Sequence, residues 1–175
     1  VIQISFFNQL RLCQAELYSR LGRYDEALQS IHPLHTDTAG RLEPRQQAQA
    51  HLFLGWLAHQ RGKREEARTF YEQAYARVTA LTDTTQTEPA LRNARDDILL
   101  LAKASDALAT VLYHAADHDH RLQLHQTACR LAQQQGNRWA QAYYLSNTGL
   151  FFYDSWHLEQ ALDLYRQAEA ICQQL

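Results

Sequence analysis

The sequence predicts an all-α fold, a solenoid of about four helical hairpins, and three observations carry that prediction. Only six Gly and three Pro punctuate 175 residues, while the good helix formers Ala, Leu, Gln, Arg and Glu dominate. Apolar residues recur at helical spacing, as in Leu52, Leu54, Trp56 and Leu57 or Leu108, Val111 and Leu112, with none of the sustained two-residue alternation of a half-buried strand. A pattern of small and bulky residues then repeats at long intervals along the chain.

Eight helices follow from the periodicity, over about 3–20, 24–34, 45–60, 64–80, 89–115, 119–134, 138–153 and 157–174. Breakers separate them: Gly22, the loop from His35 to Arg45, Gly62, the loop from Leu81 to Pro89, and Gly136. Thr87 and Pro89 suit a helix start, with a capping hydroxyl and a proline in the first turn, where no amide hydrogen is needed. Gly136 suits a left-handed C-terminal stop. The helices pair into units over about 3–34, 45–80, 89–134 and 138–174, one repeat domain across residues 1–175.

The repeat is visible when LGRYDEALQSI from Leu21, RGKREEARTFYEQA from Arg61, ADHDHRLQLHQTA from Ala116 and WHLEQALDLYRQA from Trp156 are aligned. Their turn residues Gly22, Gly62, Ala116 and Trp156 are spaced by 40, 54 and 40. A packing position follows at Ala27, Ala67, Arg121 and Ala161, a bulky one at Ile31, Tyr71, His125 and Tyr165, and another at Leu34, Ala74, Ala128 and Ala168. Upstream of each turn lies a small residue, Ala15, Gly55, Ala109 or Gly149. Two antiparallel helices approach closely only where small residues lie at the crossing, and the large side chains fill the gap to the next hairpin.

This pattern, with LGRYDEAL and LGWLAHQRGKREEA as its best copies, resembles the tetratricopeptide repeat. The resemblance implies a right-handed α-α superhelix of about four hairpins whose concave face binds a protein or peptide segment. The family's usual period is about 34 residues, so longer helices or loops are expected here. The texture of units such as GNRWAQAYYLSNTGLFFY is similar to the repeat arrays of bacterial signalling regulators, the STAND-class ATPases and LuxR-type or AfsR-like transcription factors, which implies a cytoplasmic scaffold or sensor within a larger regulatory protein.

Composition narrows the classes of function. Net charge is −2, from 17 basic and 19 acidic residues, and the arginines are scattered singly, so no basic stripe exists to neutralise nucleic-acid phosphates or an anionic membrane. The longest apolar run, Ile98 to Ala102, is cut by Lys103 and Asp106, far short of the roughly 20 residues a membrane span needs. Cys13, Cys129 and Cys172 are widely spaced and form no CxxC pair, which fits reduced thiols. A start at Val and the lack of any Met fit a domain excised from a longer protein.

The segment YHAADHDHRLQLH, from Tyr113 to His125, gathers four of the nine histidines. His114 and His118, at i and i+4, would share a helical face, and with Asp117 or His120 could approach a metal, but no second cluster closes a four-ligand set. In the alignment His118 and His125 instead take slots that other units fill with Tyr, and Asp119 is placed to cap the sixth helix. A metal-dependent enzyme centred on this cluster is the remote alternative; no cofactor is implied. There is no GxSxG, no GxxxxGK[ST] and no GxGxxG.

The remaining candidate is the concave face formed by the first helix of each hairpin. Positions there not needed for packing are Leu12, Glu16, Leu52, Trp56, Lys103, Asp106, Thr110, Tyr143, Asn147 and Leu150. Of these, Leu52, Trp56, Lys103, Asp106, Tyr143, Asn147 and Leu150 are the expected partner contacts. Trp56 and Tyr143 are rigid aromatic anchors, and Asn147 could grip a peptide backbone through both ends of its amide. The same surface could instead sense a small-molecule inducer. Phe6 and Phe7 at one end, and Ile171 and Leu175 at the other, leave apolar residues uncovered, which predicts flanking repeats or end-to-end self-association.

Overall fold

A computed structural model of the chain describes residues 2–35, 43–83 and 94–175. Among the described residues it contains eight α-helices and no strand, and it divides into two compact units, Val1–Thr84 and Thr85–Leu175. The first unit holds α1 (Ile2–Arg20), α2 (Tyr24–His35), α3 (Pro44–Gln60) and α4 (Arg64–Asp83). The second holds α5 (Ala94–Val111), a short 3-10 turn (Ala115–Asp117), α6 (His118–Gln134), α7 (Arg138–Asp154) and α8 (Leu158–Cys172). Each unit is two antiparallel helical hairpins, as the repeat pattern requires. The expected helix start at Thr87 and Pro89 lies outside the described residues.

Four of the connections share one device. After α1, Gly22 N–H donates to Ser19 O and Arg23 N–H to Tyr18 O, at 3.0 and 2.9 Å. This paired bonding satisfies the orphan carbonyls of a helix end and needs a left-handed residue at its centre. Gly22, Gly62 and Gly136 supply it with φ of 72, 73 and 65°. After α7 the same bonds form, His157 N to Phe152 O at 2.9 Å and Trp156 N to Tyr153 O at 3.0 Å, but the left-handed residue is Trp156, at φ 60°.

The third hairpin turns differently. Ala116 occupies the aligned position, and alanine resists positive φ. The helix expected to run to 115 stops at Val111, and the chain reaches α6 through the 3-10 turn, with Asp117 N–H donating to His114 O at 2.9 Å. This overturns the shared helical face of His114 and His118, since His114 lies outside any helix. It also moves the cap: Asp117, not Asp119, holds the N-cap position of α6, and its side chain makes no capping bond.

Packing follows the small and bulky alternation. A Cβ on Gly55 would lie 2.5 Å from Cδ1 and Cε1 of Tyr71, and one on Gly149 would lie 3.0 Å from Tyr165 Cε1. Each tyrosine ring therefore lies flat against the bare backbone of the partner helix. Ala15, Ile31, Leu34, Ala50 and Leu54 form the core of the first unit, with Leu12, Leu28, Phe53 and Phe70 against it. Ala102, Ala128, Leu131, Ala132, Ala140 and Tyr144 form that of the second. Burying a side chain such as Ile31 contributes about 1.5–3 kcal/mol.

Trp156 yields a direct test of the turn chemistry. A non-glycine residue in the left-handed region costs roughly 1–2 kcal/mol, against which glycine loses about 0.5–1 kcal/mol of unfolded-state entropy. Its side chain is 85 % exposed, so little packing is forfeited. Trp156→Gly is expected to raise the thermal midpoint by a few degrees, while Trp156→Ala brings no gain; equal midpoints for the two variants would remove the strain from the account.

Candidate functional site

Helix α7 has three differently occupied faces. Ala140, Tyr144, Thr148 and Phe151 are buried, with Ala140 and Tyr144 in the core beside Ala128, Leu131 and Ala132 of α6. Gly149 lies against Tyr165 of α8. Trp139, Tyr143, Leu150 and Tyr153 fall at i, i+4, i+11 and i+14 and are all exposed, which places them along one stripe of the helix surface. Asn137 starts the helix, its side chain accepting from Ala140 N at 3.1 Å, so the stripe begins at a fixed end.

Within the stripe, the rings of Trp139 and Tyr143 stack with centroids 5.7 Å apart and planes 3° from parallel. Tyr143 meets the buried Tyr144 edge-on at 5.5 Å. The exposed pair is thus backed by a ring that belongs to the core. Trp139, 67 % exposed, and Tyr153 were not among the expected contacts. The spacing of Trp139 four residues before Tyr143 was the signal that could have identified it.

Beside the stripe lies a buried polar network. The Asp106 carboxylate of α5 accepts from His125 Nδ1–H of α6 at 3.0 Å and from Asn147 Nδ2–H of α7 at 2.8 Å. Asp106 and His125 are buried. A carboxylate withdrawn from water is tolerable only when its oxygens are engaged, and here each oxygen takes one donor. The network ties three helices together and consumes the amide nitrogen of Asn147. Its amide oxygen has no hydrogen-bond partner among the described residues and sits on a half-buried side chain. Asn147 therefore offers one end of its amide, an acceptor, where the sequence suggested both.

The other expected contacts divide. Lys103, Tyr143 and Leu150 are exposed. Leu52 and Asp106 are buried and are withdrawn as contact residues: Leu52 is part of the packing of α3, and Asp106 is the centre of the network. Trp56 is half-buried and packs beside Tyr24 and Phe53, at centroid distances of 6.3 and 5.9 Å, so it ties α3 to α2.

The histidine segment disperses. His125 goes into the core. His118 lies on the Phe151 ring, 4.7 Å between centroids, with Nδ1 3.3 Å from Asp119 Oδ1. His114 and His120 are exposed. Among the described residues no group of three His, Cys, Asp or Glu side chains is placed to hold a metal ion. Arg121, in the slot that other hairpins give to Ala, fills its space: the guanidinium lies 5.4 Å from the Tyr113 ring and 5.2 Å from the Phe151 ring, and 3.5 Å from Asp154 Oδ2.

Burial also sets the titration of two neighbours. Cys129, whose Sγ is 3.7 Å from Thr148 Oγ1, has its thiol pushed above the ordinary range by burial. The Tyr144 hydroxyl is pushed well up by burial and by the nearby Asp106 charge. Both stay protonated at neutral pH, so neither is a poised nucleophile or base.

Residues 7–80 match the tetratricopeptide repeat family, whose repeats mediate protein–protein interaction. No curated protein matches the chain. No helix among the described residues is long and apolar enough to cross a membrane.

Two outcomes test the network and the thiols. Asp106→Ala leaves His125 Nδ1 and Asn147 Nδ2 without an acceptor and is expected to cost about 2–4 kcal/mol in denaturant unfolding. In the same variant the Asn147 side-chain amide protons, protected in the parent, exchange as free amides do; protection that survives the substitution would contradict the assigned bond. With a thiol reagent under native conditions, the exposed Cys13 and Cys172 react first, and Cys129 follows at least about tenfold more slowly because its thiolate is disfavoured. Equal labelling of all three cysteines would show that Cys129 is not shielded.

Proposed function

We propose that the chain is a protein- or peptide-binding module within a larger bacterial regulatory protein, acting in the cytoplasm, and that its partner lies along the exposed stripe of α7. The observation that carries this reading is the stacked, solvent-exposed Trp139–Tyr143 pair on the same stripe as Leu150 and Tyr153. Rigid aromatic side chains give a large contact area at low entropic cost, which is why they dominate the energetics of interfaces. Asn147 adds a fixed acceptor and Lys103 of α5 a cation. The chemistry suits an extended segment that contributes apolar side chains to the stripe and a backbone N–H to the Asn147 oxygen.

Selection of a displayed random peptide library against the whole chain tests the reading. Selected peptides are expected to lose at least about tenfold in affinity for Trp139→Ala and Tyr143→Ala, while the fold, monitored by far-UV circular dichroism, stays intact. Peptides that bind both variants as tightly as the parent would place the binding surface elsewhere.

A further inference from the structure

The repeat departs from its own pattern at one internal position of the first unit. Three residues after the small crossing residue, the first helix of a hairpin carries a bulky side chain, Tyr18, Leu112 or Phe152, but α3 carries Ala58. The structure opens at that point. A cleft of about 240 Å3 lies between the two hairpins of the unit, lined by Ala58 with Leu54 and Leu57 of α3, Leu28 of α2 and Phe70 of α4. Leu54, Leu57 and Ala58 are buried and form its floor. The cleft thus takes the place that a larger residue at position 58 would fill.

Its mouth is polar. Arg61 and Lys63 from the turn between α3 and α4 stand on the rim with Glu66 of α4 and His32 of α2. Arg61 Nη2 donates to Asp25 Oδ1 at 2.6 Å, and Lys63 Nζ lies 2.9 Å from Glu66 Oε2. These four charged side chains differ in their access to water: Arg61 is 32 % exposed, Glu66 48 %, Lys63 57 % and Asp25 85 %. A charge acts more strongly as it leaves water, so the Arg61 cation dominates the mouth. Asp25, out in solvent, is a weakly held partner that an incoming anion can displace. The guanidinium offers five N–H donors in a planar fork that matches a carboxylate. An apolar cavity of about 150 Å3 takes up benzene, so the larger cleft suits an aromatic ring or an alkyl chain of several carbons.

We propose that this cleft binds a small apolar carboxylate. The hydrocarbon part lies over Ala58, between Leu28 and Phe70, and the carboxylate meets Arg61 at the mouth with Lys63 beside it. Because the walls come from both hairpins of the unit, a bound molecule links them and stabilises the folded chain. A cation of the same size is disfavoured, since it would sit against the most withdrawn charge of the rim. None of these residues lies on α7, so this site and the partner surface proposed above stand or fall separately.

Calorimetric titration of the whole chain with octanoate is expected to show saturable one-to-one binding, with octan-1-ol at least about tenfold weaker because it lacks the charge-assisted bond. Arg61→Gln, at the turn, brings octanoate down to the affinity of the alcohol. Ala58→Leu gives α3 the residue that α5 has at this position, Leu112; it fills the cleft, leaves the thermal midpoint equal or higher, and abolishes binding. No saturable binding up to millimolar octanoate, an alcohol that binds as tightly as the acid, or a folded Ala58→Leu variant that still binds would each overturn the proposal. An Arg61→Gln variant that binds octanoate as the parent does overturns it equally, whatever the Ala58 variant does.

Discussion

The close crossing of two helices over a residue without a side chain is the constraint on which the rest of the structure depends. Gly55 under Tyr71 and Gly149 under Tyr165 leave no room for a Cβ at ordinary contact distance. Because each ring is pressed onto bare backbone, its opposite side extends outward from the hairpin and becomes the platform for whatever packs next. That platform must be bulky but need not be aromatic: Ile31, Tyr71, His125 and Tyr165 all serve. The crossing thus fixes which strip of each first helix meets a neighbouring hairpin and which strip is left to solvent, including the stripe of Trp139, Tyr143, Leu150 and Tyr153.

Placing a histidine in that slot changes the chemistry of the second unit. An isoleucine needs only to be covered, whereas His125 brings two ring nitrogens into the core: Nε2 is buried with no hydrogen-bond partner among the described residues, and Nδ1 finds one. Asp106 answers it from α5, and a carboxylate with one oxygen still free requires a second donor, which Asn147 provides from α7. Each polar residue creates the need for the next, and the chain of bonds ends at a half-buried amide oxygen beside the exposed aromatic pair. Arg121 is handled by a different route: the cation replaces the missing close contact of an alanine by lying between two aromatic rings.

Most of the fold was legible because it rests on local rules. Seven of the eight helices lie within three residues of the spans their periodicity predicts, and the glycine stops lie at the left-handed turns. What was not legible depends on which helix faces which. The alignment shows that Asp106 shares a register position with Leu12 and Leu52, but not that a histidine two helix turns along the next helix would reach its carboxylate. Leu52 and Asp106 were assigned to a free surface by register alone, and tertiary packing buried both. The third turn failed for a local reason: Ala116 aligned with glycines whose backbone conformation it does not adopt.

The uneven wear of the repeats has a physical meaning. A slot that must hold Ala or Gly for two helices to meet carries no information about a partner, since any other residue there weakens the hairpin. Where the pattern is kept, as around Gly55 and Tyr71, the residues are used up by packing. Where it departs, as at His125 and Arg121, the added polar groups draw on neighbours that include Asp106 of α5 and Asp154 of α7, the helix that carries the solvent-exposed stripe. The histidine segment, for which the sequence leaves a metal site only as the remote alternative to a structural turn, therefore bears on function by another path: by drawing in Asp106, His125 decides that Asn147 faces its surroundings as a hydrogen-bond acceptor.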